Sequence, residues 1–148
     1  MALIHATCVA VHGMAVLLVG PSGSGKSDLA LRLIDGGGLL VADDQVQITA
    51  QDDVLLATPP PTVAGLIEVR GVGLMRVAHA GRSPVGVAFE LDARPPERLP
   101  VGDTLTLEGH KIPLFRLDPF QASAAARVRV TVAGLRHGAM AAGSGAPR

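Results

Sequence analysis

The sequence predicts an α/β domain with a β-rich mixed sheet and few helices, and three observations lead there. A strand, a glycine-rich loop, a helix and a second strand follow one another between Ala15 and Ala42, the order of a βαβ unit. Beyond it come seven short runs rich in Val, Ile and Leu and broken by Pro/Gly turns, without the regular strand–helix alternation of a doubly wound chain. The third observation is size: 148 residues, 48% of them apolar, suffice for one domain with a packed core. With no Trp, no Tyr and three Phe (Phe89, Phe115, Phe120), that core must be built from Val, Leu, Ile and Ala.

The elements follow in order. Val9–Val11 and Ala15–Val19 flank His12-Gly13 and read as a hairpin whose second strand is buried on both faces. Gly20–Gly25 supplies the glycine punctuation. From Ser27 to Ile34, apolar Leu29, Ala30, Leu33 and Ile34 recur at helical spacing, with polar Asp28 and Arg32 between them. Gly36–Gly38 ends that helix, and Leu39–Ala42 is a second buried strand with Asp43-Asp44 at its end. Val46–Thr49, Val54–Ala57, Leu66–Val69, Leu74–Val77, Val85–Leu91, Thr104–Leu107 and Arg127–Val132 read as strands. The last alternates Arg-Val-Arg-Val-Thr-Val, the pattern of a strand with one wet face. A short helix is expected near Asp118–Ala126. Residues 1–137 make up the expected domain, and Gly138–Arg148, small and Gly/Ala-rich, is expected to be a disordered tail.

Charge narrows the partners. The 13 basic and 13 acidic residues cancel, whereas a nucleic-acid binder draws most of its affinity from a basic excess. The shortage of aromatic rings also removes platforms for stacking single strands, so no nucleic-acid partner is expected. Cys8 is alone and forms no intramolecular disulfide framework, which fits a reducing compartment. The N-terminus lacks the pattern of a signal peptide and Met14–Gly20 is too short to span a bilayer, so a cytoplasmic location without membrane contact is expected.

Gly20-Pro21-Ser22-Gly23-Ser24-Gly25-Lys26-Ser27 fits the phosphate-binding pattern G-x-x-x-x-G-K-[ST] at every position. Glycines let successive N–H groups turn inward around phosphate oxygens, and the following helix adds its positive end. Lys26 brings a compact charge to the outer phosphates, and the Ser27 hydroxyl suits the shell of a magnesium ion. Glycine is abundant here, 18 residues of 148, so the pattern alone also matches a chance turn. The apolar strand before it and the amphipathic helix after it decide for phosphate binding. The chain therefore reads as a P-loop-containing nucleotide-binding domain.

A carboxylate at a strand end beside such a loop can hold magnesium or take a proton from an attacking hydroxyl. Alone, Asp43-Asp44 reads equally well as a solvated turn; beside the loop the functional reading prevails. His5 by itself reads as a surface or packing residue, and His12, His79, His110 and His137 show no metal-ligand spacing. Glu68 and Arg70 share one face of a strand before the turn Gly71-Val72-Gly73, and a structural ion pair between them is an equally good reading.

Together these motifs resemble the catalytic domain of bacterial HPr kinase/phosphorylase. The resemblance runs from about His5 to Arg136. It rests on a His fifteen residues before the phosphate loop, the loop itself, the strand end Leu40-Val41-Ala42-Asp43-Asp44, and Glu68-Val69-Arg70-Gly71-Val72-Gly73. It implies a short form without the N-terminal domain of full-length members, and an ATP-dependent kinase that phosphorylates a serine of the phosphocarrier HPr or an HPr-like protein. It also implies residue roles. His5, Lys26 and Arg98 match active-site positions, Asp44 the proton acceptor with Asp43 assisting, and Ser27 and Glu68 the magnesium ligands; Ile67–Arg76 matches a segment serving both directions of catalysis. A homo-oligomer, a hexamer in the two-domain members, is implied as well. Where the family carries a Pro-Val-Arg-Pro-Gly-Arg-Asn-like stretch tied to phosphorolysis, this chain has Ile112–Pro119 without Gly-Arg-Asn, so the forward reaction is the expected one. A small-molecule kinase and a nucleotide-sensing regulator without turnover are the alternatives.

Overall fold

The computed structural model describes residues 1–94 and 102–137. The chain opens with strands β1 (Ala2–Ile4), β2 (Ala6–Val11) and β3 (Met14–Val19). β2 and β3 form the expected hairpin, with Val11 opposite Met14 across His12 (φ 51) and Gly13 (φ 78). Positive φ at both loop positions matches the twist of the flanking strands. Helix α1 (Lys26–Asp35) ends where the N–H groups of Gly36, Gly37 and Gly38 bond back to Arg32, Ile34 and Leu33 carbonyls. There follow β4 (Leu39–Ala42), β5 (Val46–Gln51), β6 (Val54–Thr58), β7 (Leu66–Val69), β8 (Gly73–Arg76), β9 (Ser83–Leu91), β10 (Asp103–Leu107), β11 (His110–Leu117) and helix α2 (Ala124–His137).

The main sheet runs β1-β5-β6-β9-β3-β2-β4, with β11 on the free side of the second half of β9 and β10 outside β11. It is mixed, as expected: β3, β9 and β11 run parallel and the other pairs antiparallel. Alternation along the hairpin divides the core. Val9, Val11, Val16 and Leu18 face α1 and α2, whereas Ala6, Cys8, Ala10, Ala15 and Leu17 face the opposite side with Val46, Ile48 and Ala57. β2 touches β5 although three strands lie between them in the sheet order, so the sheet curls. The small side chains on the inner side make room for that curl. Among the described residues no helix is long and apolar enough to cross a membrane.

Three elements differ from the sequence reading. Arg127–Val132 is not a strand but lies inside α2. Val128 and Val132 are four apart, so the alternation that reads as a strand also places them on one helical face, where both are buried with Ala124 and Ala125. Val130, between them, is 72% exposed. The alanine-rich segment before it favours the helix, and Arg129 reaches across to donate to the Arg32 carbonyl of α1 at 3.0 Å. Val128→Ala is therefore expected to cost about 2 kcal/mol of unfolding free energy and Val130→Ala less than about 0.5 kcal/mol. Urea unfolding of the two variants checks this, and equal losses would restore a strand. The short helix expected near Asp118–Ala126 is the start of α2, beginning at Ala124. β11 and β1 are strands that the sequence reading did not mark. Pro113 breaks the strand signal of β11, yet β11 begins to pair with β9 only at Leu114, so the proline interrupts no bond to β9.

Candidate active site

Parallel β3, β9 and β11 bring their C-terminal ends to one edge, so the segments that follow each strand gather there. After β3 comes Gly20 (φ 150), where a Cβ would stand 2.8 Å from Ser24 Oγ. At Gly25 (φ 100), the residue before α1, a Cβ would stand 3.1 Å from Pro119, in the segment after β11. The loop is thus compact and walled on both sides, and it needs glycine at these two points. Lys26 is buried and its Nζ donates to the carbonyls of Gly20 (2.7 Å) and Pro21 (2.9 Å), which places an ammonium at the loop mouth. Ser24 Oγ is buried without a hydrogen-bond partner.

The carboxylate pair sits at the end of β4, beside β2. Asp43 is a hub: Oδ1 accepts from Ser27 Oγ (2.8 Å) and Thr7 Oγ1 (3.1 Å), and Oδ2 accepts from the Glu68 N–H (3.1 Å). One carboxylate therefore joins the phosphate loop, the hairpin and the β7–β8 hairpin. Asp44 adopts a left-handed backbone (φ 68), and its N–H donates to Thr7 Oγ1 at 3.3 Å. That turn swings its side chain away from Asp43 into solvent, where His5 Nε2 lies 2.7 Å from Oδ1 and donates to it. Adjacent in sequence, the two aspartates thus have different environments, one tied into the framework and one presented outward.

A cavity of about 530 Å³ opens between the loop (Ser22, Lys26, Ser27), Asp43 and Asp44, and Glu68 and Arg70; Phe120 forms part of its wall. Glu68 and Arg70 make no ion pair with each other, which leaves both available to the cavity. His5, Lys26, Ser27, Asp43, Asp44 and Glu68, separated by up to 63 residues, are therefore brought together (68 minus 5). Arg98 lies outside the described residues, as does the segment Gly138–Arg148. Sequence reasoning missed Thr7 and Phe120. The signal for Thr7 is a lone hydroxyl in the otherwise apolar run Ala6–Val11, fully buried in the structure. Cys8 takes no part: burial pushes its thiol far above the usual range. At the end of β9, hydrogen bonds from Arg94 hold the half-buried Asp92 carboxyl below its ordinary range.

Residues 1–85, more than half of the chain, match the family model described as the HPr Serine kinase C-terminal domain. The chain belongs to that family. Similar proteins include the HPr kinase/phosphorylase of Bacillus pumilus, 38% identical over 121 residues, and HPr kinase/phosphorylase 1 of Oceanobacillus iheyensis, 45% identical over 75 residues. The aligned parts cover 78% and 50% of this chain but 39% and 24% of those relatives, so the chain spans well under two-thirds of their length. A solved structure, that of the Hpr(Ser) kinase/phosphatase from Coxiella burnetii, superposes with a TM-score of 0.83 at 25% identity, covering 94% of this chain and 93% of that one. The family resemblance and the β-rich α/β fold expected from the sequence are both met.

Proposed function

We propose that this chain is the catalytic domain of an ATP-dependent protein-serine kinase, whose substrate is the phosphocarrier HPr or an HPr-like protein. The observation that carries the reading is the outward-facing Asp44, braced by His5, on the wall of a cavity that the phosphate loop also lines. A pure nucleotide sensor has no use for a carboxylate presented in this way. The names of the relatives supply the substrate class.

The loop suits a nucleotide. Gly20, Gly23 and Gly25 have positive φ, the backbone freedom a loop needs to wrap its N–H groups around phosphate oxygens, and the Lys26 ammonium, now on the Gly20 and Pro21 carbonyls, stands at the loop to meet them. The residues also fit magnesium. Ser27 gives its proton to Asp43 and so keeps lone pairs for a cation, with Glu68 alongside. Magnesium takes most of its ligands from phosphates and water, so a hydroxyl and a carboxylate suffice as the protein's share. Ser27 and Glu68, with Asp43 behind them, would hold the ion, which supplies charge neutralisation when bound.

Asp44 then accepts the hydroxyl proton of the carrier serine as its oxygen bonds to the γ-phosphorus. The bond from that phosphorus to the bridging oxygen breaks, and phosphoserine and ADP are the products. His5 holds the Asp44 carboxylate in orientation, and Arg98 is the proposed cation for the transferring group. We place the reaction in the cytoplasm, where ATP and a reduced Cys8 coexist. The test is transfer of label from γ-labelled ATP to purified HPr with magnesium, read by phosphopeptide mapping. Label on a single HPr serine is expected; ATP bound tightly with no label on the carrier overturns the reading.

A further inference from the structure

We propose that Phe120 is the stacking platform for the base of the bound nucleotide; the assignment rests on the nucleotide reading of the phosphate loop. Sheet topology sets the place. The phosphate loop follows β3 and the segment Asp118–Gln121 follows β11, and both strands run parallel to β9, so both segments emerge at one edge. They touch: Pro119 packs against Gly25 closely enough that a Cβ there would stand 3.1 Å away, with the Phe120 ring at 3.4 Å. A nucleotide whose phosphates fill the loop must extend its nucleoside over neighbouring surface at this edge.

The ring is built to be there. Phe89 and Phe115 pack against each other inside the fold, their centroids 5.7 Å apart, whereas Phe120 is 67% exposed on the cavity wall. Its backbone is held: its N–H donates to Asp118 Oδ1 at 3.0 Å. Arg32 donates to the Pro119 carbonyl and, at 3.4 Å, to that of Gln121, while pairing with Asp28 at 3.1 Å. Arg32 thus clamps the segment to α1, the helix that carries Lys26 and Ser27. An exposed ring on a tethered turn costs hydrophobic free energy until something flat covers it, and a base has the matching π-face. Leu31, also on the cavity, adds apolar surface.

The chain has no Trp and no Tyr, so a Phe120→Trp variant carries a single indole at the site and reports on it directly. Its fluorescence should be quenched by ATP and left unchanged by inorganic tripolyphosphate, which fills the loop but has no base. In equilibrium binding, Phe120→Ala should weaken ATP about tenfold, leave tripolyphosphate affinity unaltered, and regain ATP affinity in Phe120→Trp. Equal weakening of both ligands overturns the proposal, as does unchanged ATP affinity with a raised KM for the carrier, which assigns the ring to the protein substrate. The ATP and tripolyphosphate affinities are read without phosphoryl transfer, so they separate failure of the base platform from failure of the kinase reading.

Discussion

Asp44→Asn is expected to lower kcat for carrier phosphorylation about 100-fold while leaving ATP affinity unchanged. The substitution isolates the proton acceptor with little collateral damage. Asp44 has φ 68, a conformation that Asn tolerates as well as Asp, and the amide oxygen can still accept from His5. The backbone N–H keeps its bond to Thr7. What is lost is basicity. A positioned general base contributes about 10²–10⁴-fold. Phosphoryl transfer through a loose transition state draws modestly on the nucleophile, which favours the lower end, about 3 kcal/mol of barrier. Steady-state kinetics with HPr and a separate ATP-binding measurement check both halves. A loss of only a few-fold would move the proton acceptor elsewhere.

Two neighbouring aspartates have different roles, and the sequence carries that distinction only in part. The phosphate loop is legible because it is local: eight consecutive residues, a strand before and a helix after. The β2–β3 hairpin is local for the same reason. The division of labour between Asp43 and Asp44 depends on contacts 25 to 39 residues away, to Thr7, His5 and Glu68, and no spacing rule encodes them. His5, uninformative alone, gained meaning from the family pattern and then from a 2.7 Å contact. The misread segment shows the converse. Arg127–Val132 carries period two and period four at once, and the choice was made by the apolar surface of α1 and the sheet against which Val128 and Val132 pack. Phe120 has no local signature; only the parallel register of β3, β9 and β11 places it beside the loop.

The companion substitution, Asp43→Asn, is expected to fail differently. Asp43 accepts three hydrogen bonds, two at Oδ1 and one at Oδ2, and a carboxylate can do so because both oxygens are acceptors. An amide has one acceptor oxygen. The Glu68 N–H cannot reverse its role, so the amide oxygen turns toward it and the NH₂ faces the Thr7 and Ser27 hydroxyls. Thr7 is fully buried and already accepts from the Asp44 N–H, so its own proton loses its partner. Such an orphan costs about 1–3 kcal/mol of stability. Ser27 must accept rather than donate, which occupies a lone pair meant for magnesium. Disturbing a ligand through the group that orients it lowers metal affinity or activity about 10- to 100-fold. A magnesium titration of kinase activity therefore separates the two aspartates. Activity of Asp43→Asn should recover in part at high magnesium, because the metal site is weakened and the base remains. Activity of Asp44→Asn should stay low at every magnesium concentration, and recovery there would mean that its carboxylate serves the metal instead.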